Sequence, residues 1–270
     1  MSHSHAPRAG LLGLPWDGSS SHRRGPARAP AAIRAALHSD ASNPWSERGV
    51  DALDAKGFED LGDLLLSESA EAARSAITDG VSALERGVRP LLLGGDHSVT
   101  VPILRAMRPQ YPRLQVLHID AHPDLYPDFQ GDPYSHACPF TRILEEGLID
   151  RLVQVGIRTL NPIQRDTATR FGVQILPPSQ WHGPLPLLPG VPVYVSFDLD
   201  GLDPAFAPGV SHREPGGLSV REAIAVLGRI DAPIVGADLV EYNPEADLDG
   251  VTAVVAAKLV KELSARLQGG

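Results

Sequence analysis

The stretch VPVYVSFDLD, residues 191–200, joins an unbroken apolar strand, predicted at residues 191–198, to two aspartates at its end. A strand that is apolar on both faces is typical of a parallel sheet with helices packed on each side. Further strands are predicted at residues 10–15, 58–61, 89–93, 114–120, 152–157, 173–176 and 233–241. Helices are predicted between them, at residues 31–37, 68–85, 102–107, 140–146, 163–171, 220–229 and 251–267. This alternation predicts a three-layer α/β/α fold with a mostly parallel central sheet.

The composition indicates one folded domain. Of the 270 residues, 43% are hydrophobic and 21% are charged, which provides a packed core and leaves too little charge for a disordered chain. The length fits one large α/β domain, and no stretch of linker-like composition divides it. We therefore predict a single domain over residues 10–270, preceded by a disordered terminus at residues 1–9.

Charge and composition exclude several classes of partner. The chain has 24 Lys and Arg against 33 Asp and Glu, a formal net charge of −9, so no broad basic surface is available for nucleic acid or anionic lipid. The longest apolar runs have the length of strands, well below the ~20 residues that a membrane-spanning helix needs. With one cysteine, Cys138, and no secretory signal, the sequence predicts a cytoplasmic protein.

Polar residues interrupt the apolar pattern where three predicted strands end. GGDHS occupies residues 94–98, DAHPD residues 120–124 and DLD residues 198–200. Ligands collect at the carboxyl ends of strands in such a sheet, and residues two apart on an extended chain project to the same side. We therefore predict one cluster of two imidazoles and four carboxylates, formed by His97, Asp120, His122, Asp124, Asp198 and Asp200. Asp203, in an Asp-Pro turn, is expected to brace its loop.

Four carboxylates that lie together in a partly buried cleft repel one another unless cations neutralise them. Two divalent ions would balance the four aspartates, and a mixed carboxylate and imidazole set suits octahedral Mn²⁺ better than zinc. Such a pair of ions lowers the pKa of a shared water enough to give hydroxide near neutral pH, which is the nucleophile of a hydrolase. The alternative is that each strand-end aspartate only caps a following helix, which leaves the three polar strand ends without a shared purpose.

At these residues the sequence resembles the arginase/agmatinase (ureohydrolase) family. The shared motifs are GGDHS at 94–98, DAHPD at 120–124, SFDLDGLDPAFAPG at 196–209 and VEYNP at 240–244. The segments at 134–137 and 207–219 are most similar to plant-type arginases and their bacterial relatives. The resemblance implies an arginase-like fold, two Mn²⁺ per subunit bound by the six residues above, urea release, and a homotrimer or homohexamer.

The resemblance also implies roles for His136 and Glu241. His136 matches a loop histidine that moves protons, a task suited to histidine near neutral pH. Glu241 matches the glutamate that holds the substrate guanidinium, which a carboxylate can accept through a bidentate pair. The alternatives are a loop histidine that only forms hydrogen bonds and a structural ion pair of Glu241. Cys138 is expected to pack, because a nucleophilic thiolate needs an electropositive partner and access.

Two further positions bear on the substrate. Asn161 takes the place at which animal-type arginases offer an aspartate to the α-amino group, and His212-Arg213 replaces the Thr-Pro that is common in agmatinases. Arg213 is a candidate for binding a substrate carboxylate, with a solvated loop position as the alternative. The plant-type resemblance favours hydrolysis of L-arginine to L-ornithine. The alternatives are agmatine, which gives putrescine, an ω-guanidino acid such as 4-guanidinobutyrate, formimidoylglutamate, and a catalytically silent regulatory paralogue.

Overall fold

The computed structural model describes residues 7–269 and is organised around one eight-stranded sheet. Every pairing between neighbouring strands is parallel. The strands are β1 (Arg8–Gly13), β2 (Phe58–Asp63), β3 (Val88–Leu93), β4 (Gln115–Ile119), β5 (Arg151–Val155), β6 (Gln174–Ile175), β7 (Val193–Asp198) and β8 (Ile234–Val240). Their order across the sheet is β2-β1-β3-β8-β7-β4-β5-β6.

Helices cover both faces of this sheet. They are α1 (Ala29–Leu37), α2 (Ala70–Ser82), α3 (Thr100–Met107), α4 (Pro139–Glu145), α5 (Pro162–Phe171), α6 (Val220–Gly228) and α7 (Val251–Leu267). Helices α1, α6 and α7 share a hydrophobic core with one face, and α2, α3, α4 and α5 share a core with the other. In β3, Leu91 and Leu93 pack on the first side and Leu92 on the second. The predicted single three-layer α/β/α domain with a parallel sheet is confirmed.

Local sequence signals explain where helices start and stop. The Ser219 side chain accepts the backbone N–H of Glu222 at the start of α6, and the Glu222 carboxylate accepts the backbone N–H of Ser219, which forms a capping box. Helix α5 begins after Asn161, whose side chain caps it, with Pro162 in the first turn. The same helix ends at Gly172, whose φ of 67° is the left-handed conformation that glycine adopts readily.

The first strand begins earlier than the sequence analysis predicted. Arg8 and Ala9, which were assigned to a disordered terminus, are paired in the sheet: Ala9 lies between Phe58 of β2 and Arg89 of β3 and is fully buried. Hydrogen bonding to two neighbouring strands orders this short segment, although its sequence has only a weak apolar pattern. Residues 1–6 lie outside the described part of the chain, and their disorder stays a prediction.

The sheet order brings the polar strand ends together. Strands β3, β8, β7 and β4 are neighbours at the centre of the sheet, and all four run in the same direction. Their carboxyl ends therefore meet at one edge, where the candidate site lies. Within residues 7–269, the structure contains no helix of the length and apolar character that a membrane crossing requires.

Candidate active site

The chain turns sharply after β3 and places His97 at the sheet edge. A Cβ atom on Gly95 would lie 1.7 Å from the backbone oxygen of Trp16, so only glycine allows these two segments to approach so closely. Asp96 then accepts the backbone N–H of Ser98 at 3.1 Å and caps the short helical turn that starts at His97. This turn fixes the direction in which the His97 ring leaves the backbone.

His97 Nδ1 faces three carboxylates at the bottom of the site. It lies 3.2 Å from an Oδ2 atom of each of Asp120, Asp124 and Asp198. The ring is fully buried, and Nδ1 has no hydrogen-bond partner of good geometry among the described residues. Burial opposes charge on this imidazole, but the three carboxylates outweigh it and raise the pKa of His97. A buried nitrogen that is equidistant from three carboxylate oxygens fits a set of ligands around one cation.

A second group of side chains shares Asp120 with the first. His122 Nδ1 lies 3.0 Å from Asp200 Oδ2 and 3.5 Å from Asp120 Oδ1. Ligand atoms of these three residues all lie within 4.8 Å of one another, which is a spacing suited to a metal ion. Asp120 directs Oδ2 towards His97 and Oδ1 towards His122. These two groups of side chains would therefore be able to hold two neighbouring cations, and Asp120 belongs to both groups.

The electrostatics of the four aspartates fit the same interpretation. Burial and then the negative charge of Asp120 raise the pKa of Asp124 and of Asp198. Burial also raises the pKa of Asp200 to about 7. Burial acts in the same direction on Asp120, but His118, His122 and His97 outweigh it and hold the pKa of Asp120 well below its ordinary value. Three of the four carboxylates are thus destabilised in their ionised form, and bound cations would remove the repulsion. Carboxylate oxygens and imidazole nitrogens together are a donor set that Mn²⁺ accepts.

His118, to which the sequence analysis assigned no role, holds Asp120 in place. Its Nε2 lies 2.7 Å from Asp120 Oδ2, and its Nδ1 lies 2.9 Å from the side-chain nitrogen of Gln154. The ring packs against Phe140, with 4.0 Å between ring centroids. His118 has ligand-like spacing with His97 and Asp120, but both of its ring nitrogens are engaged by Asp120 and Gln154, so it orients Asp120. A histidine near the end of a mostly apolar strand was the available signal.

A buried hydrogen-bond network orients the His97 ring from its other side. His97 Nε2 lies 2.9 Å from Ser196 Oγ, and the Ser196 hydroxyl donates to Asp238 at 2.7 Å. Asp238 also accepts the hydroxyls of Thr100 and Tyr194, both at 2.8 Å. All these residues are fully buried. The network occupies Nε2 and so leaves Nδ1 to face the three carboxylates.

A cavity of about 190 Å³ opens above this cluster. Four of the six predicted ligands line it, together with His136 and Glu241. Tyr126, Phe129 and His212 form part of its walls. No lysine or arginine is among the cavity-lining residues in the described part of the chain. The cavity therefore suits a small molecule whose reactive end is a cation that faces carboxylates.

His136 and Glu241 form one hydrogen-bonded pair in the wall. His136 Nδ1 lies 2.8 Å from Glu241 Oε1, which also accepts the backbone N–H of His97 at 2.9 Å. Burial works against charge on His136, but Glu241 outweighs it and raises the pKa of His136 to about 9. Glu241 has a φ of 62°, a left-handed conformation that is unfavourable for this side chain. The two predicted catalytic residues therefore lie together beside the cluster of predicted metal ligands.

The structure does not bring the other two predicted substrate-binding residues to the cavity. Asn161 Oδ1 accepts the backbone N–H of Gln164 at 3.0 Å as the cap of α5, and its amide donates to the Tyr126 hydroxyl. Arg213 donates two hydrogen bonds of 2.7 Å to backbone carbonyl oxygens of neighbouring loops. Neither residue lines the cavity, because the local fold uses the polar atoms of both.

Asp203 and Cys138 have structural positions, as the sequence analysis expected. Asp203 accepts the backbone N–H groups of Ala205 at 2.9 Å and of Gly216 at 2.7 Å, and it braces its loop. Cys138 is fully buried outside the cavity lining, and burial raises the pKa of its thiol to about 12. A thiol in this state is a poor nucleophile.

Ser21 and His212 are cavity residues whose roles sequence reasoning missed. The His212 and His136 ring centroids are 5.3 Å apart, and burial, followed by the charge of His136, lowers the pKa of His212 to about 4. Ser21 Oγ lies 2.8 Å from His136 Nε2. Both residues come from long irregular loops, whose polar composition was the only signal in the sequence.

Known proteins are similar to this chain over nearly its whole length. The sequence profile of the arginase family matches residues 7–265. The mitochondrial arginase 1 of Arabidopsis thaliana is 43% identical over 95% of this chain and 80% of its own length. The solved arginase from Medicago truncatula has a TM-score of 0.91 and 42% identity, with 97% of this chain and 88% of that chain covered. The guanidinobutyrase of Pseudomonas aeruginosa is 34% identical over 97% of this chain and 86% of its own length.

The fold, the cavity and these similarities define a hydrolase that acts on the C–N bonds of amidino groups. The chain belongs to the arginase family, as its motifs predicted. Members of this family depend on a binuclear metal centre, and this chain has His and Asp groups with the spacing to hold metal.

The predicted cytoplasmic location is wrong. The plant arginases that match this chain, from Arabidopsis thaliana, Medicago truncatula and rice, are named as mitochondrial. The prediction depended on a single cysteine and on the lack of a secretory signal. These two features bear on disulfide formation and secretion, and they do not distinguish the cytoplasm from the interior of an organelle.

Proposed function

We propose that this protein is a binuclear Mn²⁺ amidinohydrolase that converts L-arginine to L-ornithine and urea. The observation that carries the proposal is the position of His97 Nδ1, 3.2 Å from three carboxylates, two of which line the cavity together with the His136–Glu241 pair. When bound, the two cations would activate water near neutral pH and stabilise developing negative charge. His97, Asp120, His122, Asp124, Asp198 and Asp200 would hold them.

Glu241 binds and orients the substrate guanidinium in this proposal. Both hydrogen bonds that the structure gives its carboxylate go to Oε1, from His97 and from His136. Oε2 is therefore available for a charge-assisted bond from the guanidinium, and Oε1 can be shared with it. This contact would hold the guanidino carbon above the four aspartates, in the place where attack has to occur.

His136 supplies a proton to the leaving amine. Glu241 holds the ring through Nδ1, so Nε2 is the atom that exchanges protons with other groups. With a pKa raised to about 9, the ring carries a proton at neutral pH and is able to give it up when the C–N bond breaks. Only 8% of this residue is exposed, so competing solvent has little access to it.

L-Arginine is the favoured substrate because plant arginases are the relatives with the higher identity. A second candidate, 4-guanidinobutyrate, is favoured by one observation. Asn161, the residue expected at the α-amino group, is held in a helix cap, so no side chain is assigned to an amino group of the substrate. The guanidinobutyrase relative is in keeping with this second candidate.

The test is a substrate panel for the Mn²⁺-loaded protein. L-Arginine, agmatine and 4-guanidinobutyrate are compared by kcat/KM for urea release, and formimidoylglutamate by formamide release. We expect L-arginine to have the highest value. A higher value for another guanidino compound would reassign the substrate, and formamide alone would move the protein to formimidoyl substrates. No product from any of them, with two metals bound, would support the silent paralogue.

We propose Mn²⁺ as the native metal, with two ions per chain. Elemental analysis after loading with Mn²⁺, Fe²⁺, Co²⁺ or Ni²⁺ tests the count, and urea release compares their efficiency. We expect about two Mn²⁺ per chain, in line with the two groups of ligands that share Asp120. Loading limited to one ion per chain would contradict the binuclear centre.

We also propose a homotrimer or homohexamer. Leu248, just before α7, and Val251 and Val254, in its first turn, have exposed fractions of 62%, 46% and 64%. A contiguous exposed apolar patch is typical of an interface between proteins, and these three side chains lie within seven residues of one another. Native mass spectrometry should give three or six times the mass of the chain, and a monomer at micromolar concentration would contradict the proposal.

A further inference from the structure

Ser21 makes the contact that faces His136 from the mouth of the cavity. It lies in the long loop between β1 and α1, is half-buried and lines the cavity. Its hydroxyl oxygen is 2.8 Å from His136 Nε2, and its backbone N–H donates to the same nitrogen at 3.2 Å. Its neighbour Ser20 has a hydroxyl that instead lies 3.5 Å from Asp96.

The two ring nitrogens of His136 have different partners. Nδ1 is bonded to Glu241, which is buried at the wall of the cavity. Nε2 is bonded to Ser21, which is followed in the chain by the exposed residues His22 and Arg23. A proton that moves between the buried ring and solvent therefore passes on the Nε2 side.

The two donors of Ser21 differ in what they can do. A backbone N–H only donates, so it stabilises Nε2 when that nitrogen carries a lone pair. A hydroxyl both donates and accepts, so it can serve neutral Nε2 as a donor and protonated Nε2 as an acceptor. The Ser21 hydroxyl is thus the group that stays bonded to His136 through a full cycle of proton loss and gain.

We propose that the Ser21 hydroxyl relays protons between His136 Nε2 and water at the mouth of the cavity. The inference rests on the proposed role of His136. After Nε2–H has given its proton to the leaving amine, the Ser21 O–H bond breaks as a new N–H bond forms at Nε2. Ser21 Oγ then takes a proton from a water molecule, which regains one from bulk solvent. The attacking water releases its proton to bulk solvent, so the sum of protons is unchanged.

Other charged groups also face His136 from the surrounding elements, and each of them influences the pKa of this ring. They are Glu241 after β8, Asp96 after β3, Asp124 after β4 and His212 in the loop that follows β7. Substitution of Ser21 changes none of these charges. A shift of the His136 titration in a Ser21 variant therefore reports the hydroxyl contact itself.

The test compares Ser21→Ala with Ser21→Thr, which restores a hydroxyl, and with Ser20→Ala as the matched control. For Ser21→Ala we expect kcat for urea release to fall about 100-fold, the lower end of the typical contribution of a proton-transfer group, with KM and metal content unchanged. Ser21→Thr should recover most of the loss, and Ser20→Ala should resemble the wild type. Raising the concentration of a small acidic buffer should partly restore kcat in Ser21→Ala, because the buffer then supplies the proton.

A second measurement does not need turnover. In NMR titrations of the histidine rings, Ser21→Ala should lower the pKa of His136, since only the backbone N–H, which favours neutral Nε2, remains. If the wild type releases no urea, the proposed function fails, and the titration still decides whether the hydroxyl stabilises the protonated ring. An unchanged kcat and titration, or a loss of kcat with loss of metal and no recovery by threonine or buffer, would overturn the relay.

Discussion

Replacement of Glu241 by glutamine separates the charge of this side chain from its shape. The glutamine oxygen can still accept the N–H groups of His97 and His136, which lie 2.9 and 2.8 Å from Oε1. A neutral acceptor gives a bond weaker by about 1 kcal/mol than a charged one. We therefore expect Glu241→Gln to fold, with a free energy of unfolding lowered by about 2 kcal/mol at most.

The same change should reduce activity much more than stability. For a bidentate guanidinium, the bond to Oε2 is lost because an amide nitrogen cannot accept, at a cost of about 1.5–3 kcal/mol, and the bond to the remaining oxygen weakens by about 1 kcal/mol. The sum of about 2.5–4 kcal/mol corresponds to a fall in kcat/KM of about 10²–10³-fold. The pKa of His136, now about 9, should also move towards its ordinary value of 6.5, because burial opposes its charge and Glu241 no longer compensates. At pH 8 only about 3% of an ordinary histidine carries the proton.

Urea release measured from about pH 6 to about pH 10, with metal content determined on the same samples, is the assay. Glu245→Gln is the matched control. Glu245 lies four residues after Glu241 in the chain and pairs with Arg28 on the surface. We expect the control to keep wild-type activity. In Glu241→Gln, the decline of kcat at high pH should begin at a lower pH. A kcat/KM within about threefold of wild type across the whole range would refute the role assigned to Glu241.

Three further changes test other parts of the structure. Asp198→Asn should lower the metal content and should lower urea release about 100-fold or more. Asp203→Asn is the control and should leave the metal content unchanged in elemental analysis. Full metal occupancy with full turnover in Asp198→Asn would contradict the ligand assignment. Gly95→Ala should lower the free energy of unfolding, measured by urea denaturation, by about 3 kcal/mol or more, because its Cβ would overlap a backbone oxygen. Gly228→Ala, where no atom lies within 4 Å of the added Cβ, should change it by about 1 kcal/mol or less. Equal effects would show that the overlap is relieved elsewhere. Burial raises the pKa of Asp247, but backbone N–H groups at the start of α7 outweigh it and lower this pKa below 3.8. Its carboxylate therefore stabilises the fold above about pH 4, and this contribution is lost as the pH falls through the lower folded-state pKa. The difference in unfolding free energy between the wild type and Asp247→Asn should therefore shrink at low pH. The same difference at pH 7 and pH 3 would argue against the charge effect.

The architecture was predictable because its strands are buried and apolar. The predicted bounds of α7, residues 251–267, are those of the structure, and the predicted last residue of β7, Asp198, is also correct. The least regular element is β6, a pair of residues, 174–175, within the four predicted. A short edge strand buries little surface, so its ends leave a weak pattern in the sequence.

The cluster of six polar residues was also predictable, because parallel strands place their carboxyl ends together. The direction of individual side chains was harder. Asn161 precedes Pro162 at a helix start, a pattern typical of a cap, and that local role decides where its amide points. Contacts between distant loops leave no local pattern at all, and Ser21 and His136 are 115 residues apart.

The place of β8 in the sheet has a consequence for how the protein is made. β8 lies between β3 and β7, yet it is the last of the eight strands to be synthesised. A nascent chain that ends before Ile234 already contains His97 and Asp198, but the strand that joins their two halves of the sheet is missing. The cluster of predicted metal ligands can therefore form only when translation has passed Val240. Because an ion that binds only the folded state stabilises it, divalent metal should favour finished chains over incomplete ones.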